Sequence, residues 1–313
     1  MRGRDGLAHI PDGFLSAPVI AGTALASAGA LAIAARRSRD SLGGQEAPLL
    51  GATTAFVFAA QMLNFPLGAG VSAHLLGSVL VATLVGPWAG MLVIFAVVLV
   101  QALLFQDGGV AALGANTLNL AVIGVGGGYA IYRWVLALVG VGPRRVISAA
   151  AVAAYVSALL VGLAAAVELA LSHTLPFETA VLAIVGSHAL VGFFEAALTG
   201  ALLGLVYRTQ PGLVANQVAP SGAERGWAYA LAGVSLLVAV FAAYAASSRP
   251  DAFEAAIQRL GIEDTALTHL AGPFADYAAP IGGPWVAAAL GVALVFALGW
   301  SLARFMAHVG RRT

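Results

Sequence analysis

The sequence predicts an all-α polytopic membrane protein with about nine transmembrane helices. Three observations carry this prediction: 60% of the 313 residues are hydrophobic, only 9% are charged, and the apolar residues fall into long blocks. Soluble domains carry about 25% charged residues, and a helix needs about 20 apolar residues to span a bilayer. Because lipid offers the backbone no hydrogen bonds, such blocks are expected to be helical.

Nine apolar segments follow one another along the chain. They cover about 17–35, 48–64, 71–86, 88–106, 115–138, 146–171, 179–207, 227–247 and 284–306. The second and third segments are short and are broken by Asn64-Phe65-Pro66 and Gly68-Ala69-Gly70. Interrupted spans free backbone groups that can line a cavity, so transport proteins tend to place binding sites there.

Arginine placement predicts a cell-membrane protein with its N-terminus outside and its C-terminus in the cytoplasm. With an odd number of spans, 11 of the 15 arginines then fall on the cytoplasmic side. The other four are Arg2, Arg4, Arg249 and Arg259. The lipid bilayer is therefore an expected partner, whereas a net charge of +1 gives no reason to expect nucleic acid.

The polar stretch 209–226 predicts a cytoplasmic linker between two membrane units. A seven-span body covers 8–208, and a two-span appendix covers 227–313. The appendix carries an outside loop, 248–283, with five of the 14 acidic residues of the chain.

Several kinds of chemistry are excluded or disfavoured by composition. The chain has no cysteine, so neither disulfides nor thiolate metal ligands are available. All 15 basic residues are arginine, which rules out ATP binding through a Walker A lysine. No HExxH motif occurs, and no Ser-His-Asp arrangement stands out. We therefore expect no enzyme, and any pumping would draw its energy from a partner or an ion gradient.

The stretch His9-Ile10-Pro11-Asp12-Gly13-Phe14-Leu15-Ser16 places a histidine just before the first span. If translation starts at Leu7 and the initiator methionine is removed, Ala8 becomes the first residue and His9 the second. The Ala8 amine, the His9 amide and the His9 Nδ1 then form fused chelate rings, the tetragonal nitrogen ligation that Ni²⁺ or Cu²⁺ prefers. The alternative is that Met1 is the true start and His9 is an ordinary loop histidine.

His74, near the outer end of the third segment, is the candidate for a fourth nitrogen. A histidine in an apolar span costs free energy unless it has a partner, so it is a functional candidate by default. The alternative is a histidine hydrogen-bonded between helices. If the chain begins at Met1, His74 and His188 with carboxylates become the leading ligands.

Five polar residues are candidates for a supporting shell around the ligands. His188 and Glu195 lie two turns apart on one helix face, where Glu195 either orients a ligand imidazole or ties two helices together. Asn64, Ser72 and Asn116 lie at span ends, and the loop that begins at 107 and leads to Asn116 is a candidate cover for an outward-facing site. Hydrogen bonding between helices explains these three equally well.

Taken in order, several stretches resemble the NikM/CbiM family, the substrate-binding subunit of energy-coupling-factor nickel/cobalt transporters. They are 9–16, 56–66 (FVFAAQMLNFP), 74–77 (HLLG), 86–88 (GPW), 101–109 (QALLFQDGG), 113–116 (LGAN) and 188–190 (HAL) with Glu195. In the appendix, 247–254 (SSRPDAFE) is similar to the Ser-x-x-Pro-Asp-Gly-Leu-Glu signature of the companion subunit NikN/CbiN, with Ala252 and Phe253 replacing Gly and Leu. The whole chain then resembles a fusion of the two subunits.

The resemblance implies a metal held by the Ala8 amine, the amide and ring of His9, and His74. It implies Ni²⁺ or Co²⁺ as transported ligand, with a modest preference for nickel and no resident cofactor. Implied partners are a transmembrane coupling (T) subunit and two cytoplasmic ATPase subunits. Residues 1–7 depart from the family pattern, because they would remove the amine ligand if they persisted.

Two functions of other classes remain open from the sequence. An ion-gradient-driven metal permease would work without an ATPase and couple protons through Glu195 or Glu168. A membrane enzyme or assembly factor would turn over something other than a metal ion.

Overall fold

The computed structural model describes residues 9–41, 46–68, 71–210, 222–247, 249–279 and 281–310. Within these ranges the chain forms ten helices and one two-stranded sheet. Ala8 and most of the predicted linker 209–226 lie outside the described residues, and helical residues enter that linker at both of its ends.

Seven of the described helices are long and apolar enough to cross a membrane. They are α1 (Ala17–Ser41), α4 (Pro87–Phe105), α5 (Leu113–Val139), α6 (Pro143–Leu171), α7 (Phe177–Thr209), α8 (Gly222–Ala245) and α10 (Pro284–Gly310). The prediction of an all-α protein with many membrane-spanning helices is confirmed.

The second and third predicted spans are built differently from the rest. Helix α2 (Ala47–Gln61) has only 15 residues, and the chain then forms the antiparallel strands β1 (Phe65–Gly68) and β2 (Val71–Ala73). A stretch without regular secondary structure, 74–77, leads into the eight-residue helix α3 (Ser78–Val85). The third apolar segment, 71–86, is thus helical only from Ser78 onwards. Gly77, at φ 73°, adopts a left-handed conformation that delays the helix until Ser78.

Helix α9 (Ala252–Leu260) lies in the outside loop of the appendix and packs against α7 and β2. The Asp251 side chain caps it by accepting the Glu254 N–H at 2.7 Å. Phe253 and Ile257 are buried, and the Phe253 ring meets Phe14 edge to face with centroids 6.2 Å apart. The start of the appendix loop is thus packed onto the body and onto the N-terminal segment.

The appendix helices α8 and α10 pack against α2 of the body. Small residues allow this close approach: a Cβ at Gly299 would lie 2.3 Å from Oγ1 of Thr54, and one at Gly51 would lie 2.9 Å from the Phe296 carbonyl oxygen. Neither glycine could carry a larger side chain without separating the helices. The body and the appendix therefore share one packed core.

Three loops meet at one end of the bundle. The Ser16 N–H donates to Oγ of Ser172 at 3.0 Å, and Oγ1 of Thr174 donates to the Phe14 carbonyl. The Leu267 N–H donates to the Asp12 carbonyl at 2.8 Å. These are loops that the arginine count assigns to the outside, so the contacts agree with the predicted alternation of spans.

Candidate metal site

The N-terminal segment 9–16, termed the strap, crosses the end of the bundle where these loops meet. Asn116 binds it through two hydrogen bonds: the Ile10 N–H donates to Oδ1 at 3.0 Å, and Nδ2 donates to the Ile10 carbonyl at 2.9 Å. The Asp12 carboxylate accepts three backbone N–H groups, from Val110, Ala111 and Ala112, at 2.8–3.2 Å. The strap is therefore fixed on both sides of Pro11.

His9, the first described residue of the strap, is buried with 4% of its surface exposed. Its Nδ1 donates to Oδ1 of Asp107 at 3.0 Å, whereas its Nε2 is buried without a hydrogen-bond partner. A Cβ at Gly108 would lie 2.8 Å from the Cβ of His9, so the glycine lets the loop close on the ring. A buried ring nitrogen without a hydrogen-bond partner is unusual in a folded protein.

Asp107 is held by a residue of the appendix as well as by His9. The Tyr277 hydroxyl donates to Oδ2 of Asp107 at 2.7 Å, and Nε2 of Gln101 donates to that hydroxyl at 3.3 Å. Burial favours a neutral Asp107, but the charge of His9 and the hydrogen bonds from His9 and Tyr277 outweigh it and lower the carboxyl pKa. Burial, reinforced by the charge of Asp107, raises the pKa of Tyr277. The pair is thus an ionised carboxylate with a neutral phenol.

His74 lies in the irregular stretch between β2 and α3, and its ring centroid is 6.2 Å from that of His9. It is 5% exposed, and its Nδ1 donates to the Leu75 carbonyl at 3.3 Å. A neutral imidazole, which is the form that donates one ring N–H and keeps the other nitrogen free, is the form that binds metal.

The stretch that carries His74 is fixed by two polar side chains from within the bundle. Glu195 of α7 accepts the N–H of Leu76 in a short hydrogen bond and the N–H of Gly77 at 3.3 Å. Nε2 of Gln61 donates to the Leu76 carbonyl at 3.1 Å. Glu195 thus supports a candidate ligand through the backbone, and its hydrogen bonds run to the main chain rather than to an imidazole.

Three other residues predicted to support the ligands form hydrogen bonds away from His9 and His74. Nδ1 of His188 donates to the Ile184 carbonyl at 2.9 Å within α7. Oγ of Ser72 donates to the Arg249 carbonyl at 2.7 Å, and so docks the appendix signature onto β2. The backbone carbonyl of Asn64 accepts a hydrogen bond from the Ser247 N–H at 2.9 Å.

The described residues contain no group of three or more His, Asp or Glu side chains that could hold a metal ion. Two imidazoles are brought together, and any further ligands would have to come from backbone or terminal nitrogens. The predicted amine ligand, Ala8, lies outside the described residues.

Sequence reasoning missed three residues of this site. Asp107 belongs to the QDGG stretch, and its position before two glycines was an available signal. Asp12 belongs to the opening HIPDG stretch, where its role in binding backbone N–H groups was not foreseen. Tyr277 gave no signal, because it lies 170 residues from its partner.

Comparison with known proteins identifies the family. Residues 9–213 match the family model CbiM, described as the cobalt uptake substrate-specific transmembrane region. The chain belongs to the CbiM family. This match spans the strap, both histidines and all of α1–α7, so it covers every residue of the candidate site except Ala8 and Tyr277.

Relatives extend the likeness of this CbiM-family chain into the appendix. The fused nickel transport protein NikMN of Rhodobacter capsulatus is 34% identical over 231 residues, covering 69% of this chain and 67% of the relative. A relative from Archaeoglobus fulgidus, whose name also carries the designation NikMN, is 33% identical over 304 residues, covering 95% and 98%. The predicted resemblance to a NikM/CbiM body fused to a NikN-like part is confirmed.

A solved structure shows the same fold. The crystal structure of a transition metal transporter superposes with a TM-score of 0.59 at 31% identity, covering 71% of this chain and 99% of that chain. The CbiM-family chain is therefore a nickel/cobalt transport component with several membrane-spanning helices.

Proposed function

We propose that this chain is the substrate-capture component of an ATP-driven energy-coupling-factor importer for Ni²⁺ or Co²⁺. The observation that carries the proposal is the pair of buried imidazoles, His9 and His74, whose centroids lie 6.2 Å apart beneath the converging loops. Burying two histidines together costs desolvation free energy, which a bound cation repays. The chain has no cysteine, so no thiolate competes for the ion.

The proposed ligand set is the Ala8 amine, the amide and ring of His9, and the ring of His74. Four nitrogens in a plane suit Ni²⁺ and disfavour tetrahedral Zn²⁺, while Co²⁺ remains acceptable. The fused chelate uses Nδ1 of His9, which in the structure donates to Asp107. Capture through this chelate therefore requires Nδ1 to leave Asp107, and the neutral ring then carries its N–H on Nε2.

We propose that the energy comes from partner subunits. The sequence has no lysine and no phosphate-binding loop, so ATP would be hydrolysed by two cytoplasmic ATPase subunits joined through a T subunit. The N-terminus and the loops around the strap would face outside, which puts the histidines where an imported ion arrives. The body would cover 8–208 and the appendix 227–313, joined by the linker 209–226.

The testing experiment is intact-mass and N-terminal sequencing of the purified chain, with Ni²⁺ and Co²⁺ titrations of the same sample. A chain that begins at Ala8 and binds nickel with a diamagnetic, yellow square-planar spectrum supports the proposed ligands. A chain that begins at Met1 and still binds metal contradicts them.

The energy source is tested separately in proteoliposomes. We expect nickel uptake only when the T subunit, the ATPase subunits and ATP are all present. Uptake by this chain alone, driven by a proton gradient, would instead support the gradient-driven permease.

A further inference from the structure

We propose that Tyr277, a residue of the appendix, is a positioning residue for the metal site: its hydroxyl fixes the Asp107 carboxylate and, through it, the His9 ring. This inference rests on the proposed function. It assigns the appendix loop a defined chemical contribution to the ligand shell, beyond covering the site.

The direction of the hydrogen bonds is set by the chemistry of the three groups. The Gln101 amide nitrogen can only donate, so the Tyr277 oxygen accepts from it at 3.3 Å. The phenol proton is then directed to Oδ2 of Asp107, 2.7 Å away. Oδ1 of the same carboxylate accepts from His9 at 3.0 Å, so Gln101, Tyr277, Asp107 and His9 form one chain of donors and acceptors.

The tyrosine ring is itself held firmly. It stacks on Phe105 with centroids 4.7 Å apart and lies 6.2 Å from Phe58. Its backbone has φ 56°, a left-handed conformation that residues with bulky side chains rarely adopt. Such a conformation persists only where the surroundings impose it, and it is found mostly at functional sites. Here it turns the hydroxyl inward from a short 3₁₀ turn, Ala275–Tyr277.

The consequence for metal binding follows from how a carboxylate acts on a ligand histidine. Because the proposed chelate takes Nδ1 of His9, the positioning role requires Asp107 to accept the N–H of Nε2 once metal is bound. An acceptor for that N–H fixes the ring orientation and raises the basicity of the ligand nitrogen. Removing such an outer partner lowers metal affinity by about 10- to 100-fold. Without the tyrosine, Asp107 keeps its charge but loses the hydrogen bond that fixes its orientation, so the effect should lie at the lower end of that range.

The test is a double-mutant cycle on the full chain, with Ni²⁺ as the probe. Tyr277→Phe keeps the aromatic packing and removes only the hydroxyl, and we expect the nickel dissociation constant to rise about 10-fold. Asp107→Asn should raise it by about 10- to 100-fold. Adding Tyr277→Phe to Asp107→Asn should change it by less than about twofold, because the tyrosine acts through the carboxylate. Tyr244→Phe, at an exposed position of α8, is the matched control and should bind as the unmodified chain does.

A second variant and a spectrum separate positioning from stability. Gln101→Leu leaves the hydroxyl in place but removes the donor that directs its proton, and a loss of about threefold is expected. The visible spectrum of bound nickel should shift in Tyr277→Phe and Gln101→Leu and stay unchanged in Tyr244→Phe.

Each outcome decides the inference. Unchanged affinity and spectrum in Tyr277→Phe overturn it while the proposed function stands. Additive losses in the double variant also overturn it, because the tyrosine would then act by a route that bypasses Asp107. If the unmodified chain binds neither nickel nor cobalt, the proposed function fails, and the inference fails with it.

Discussion

The two histidines are held in contrasting ways. His9 lies on the strap, whose hydrogen bonds run to Asp107 of a loop, to Asn116 in the first turn of α5 and to Leu267 of the appendix. His74 lies on an interrupted span, and the backbone next to it is fixed by Glu195 of α7 and Gln61 of α2, both inside the helical bundle. The His9 imidazole therefore belongs to the loop layer over the site, and the His74 imidazole is held by the helical bundle.

The difference predicts that the site can open while the helical bundle stays folded. The strap lacks the repeating backbone hydrogen bonds of a helix, so freeing it breaks fewer interactions than unfolding α2 or α7 would, although Ile10, Phe14 and Leu15 would lose their buried contacts. Movement of the strap would carry His9 away while Glu195 keeps His74 in place. We expect a site built on two separately held histidines to form on capture and to come apart on release.

The largest effect is expected from removing either imidazole. His9→Ala and His74→Ala should each reduce nickel affinity by at least about 100-fold, because each removes an imidazole ligand from a planar site of four nitrogens. Isothermal titration of the full chain measures this, with the exposed His308→Ala as the control. Binding that survives in either variant would remove that histidine from the ligand set.

Glu195 tests the fixed half of the comparison. Glu195→Ala leaves the N–H groups of Leu76 and Gly77 without their acceptor, at a cost of about 1–3 kcal/mol for each group. We expect nickel affinity to fall about 10-fold because His74 is no longer held in register. The midpoint temperature of thermal unfolding should also fall by several degrees, because each kcal/mol of lost stability lowers it by about 2–4 °C. The exposed Glu178→Ala should leave both quantities unchanged, and an unaffected Glu195→Ala would show that His74 needs no such support.

Asn116 tests the mobile half. Asn116→Ala removes both hydrogen bonds to Ile10, each worth about 0.5–1.5 kcal/mol, and the strap should open more often. The expected signature is faster nickel dissociation in stopped-flow measurements, about 5-fold, with little change in the melting temperature. A slower or equal dissociation rate would mean that the strap does not control release.

The smallest effect is expected at the rim. Nδ1 of His269 donates to Oδ2 of Asp12 at 2.8 Å, but the histidine side chain is 56% exposed. Exposed pairs contribute about 0–1 kcal/mol, so His269→Ala should change nickel dissociation by less than about threefold. The backbone N–H groups of 110–112 continue to hold Asp12. A large effect would show that the appendix loop, rather than Asn116, controls the strap.

Much of this arrangement could be predicted from the sequence, since composition and long apolar blocks indicated the helices and motif order indicated the two histidines. The third span could not, because hydropathy does not report that Gly77 adopts a left-handed conformation and delays the helix. The link between Tyr277 and Asp107 could not be predicted either. It depends on how a loop of the appendix folds back over the body, which no local pattern encodes.

The appendix and the body belong to one chain and are packed together through the glycine-mediated contact of α10 with α2, so they occur in a one-to-one ratio. A separately made companion must find its partner by diffusion, at whatever concentration the cell maintains. A tethered one is present at an effective concentration in the millimolar range, independent of expression level. With Gly51 and Gly299 closing the gap between the helices, each strap in the population has its own Tyr277. The cell therefore cannot adjust metal uptake through the separate supply of a companion subunit, because every copy of the chain carries the appendix.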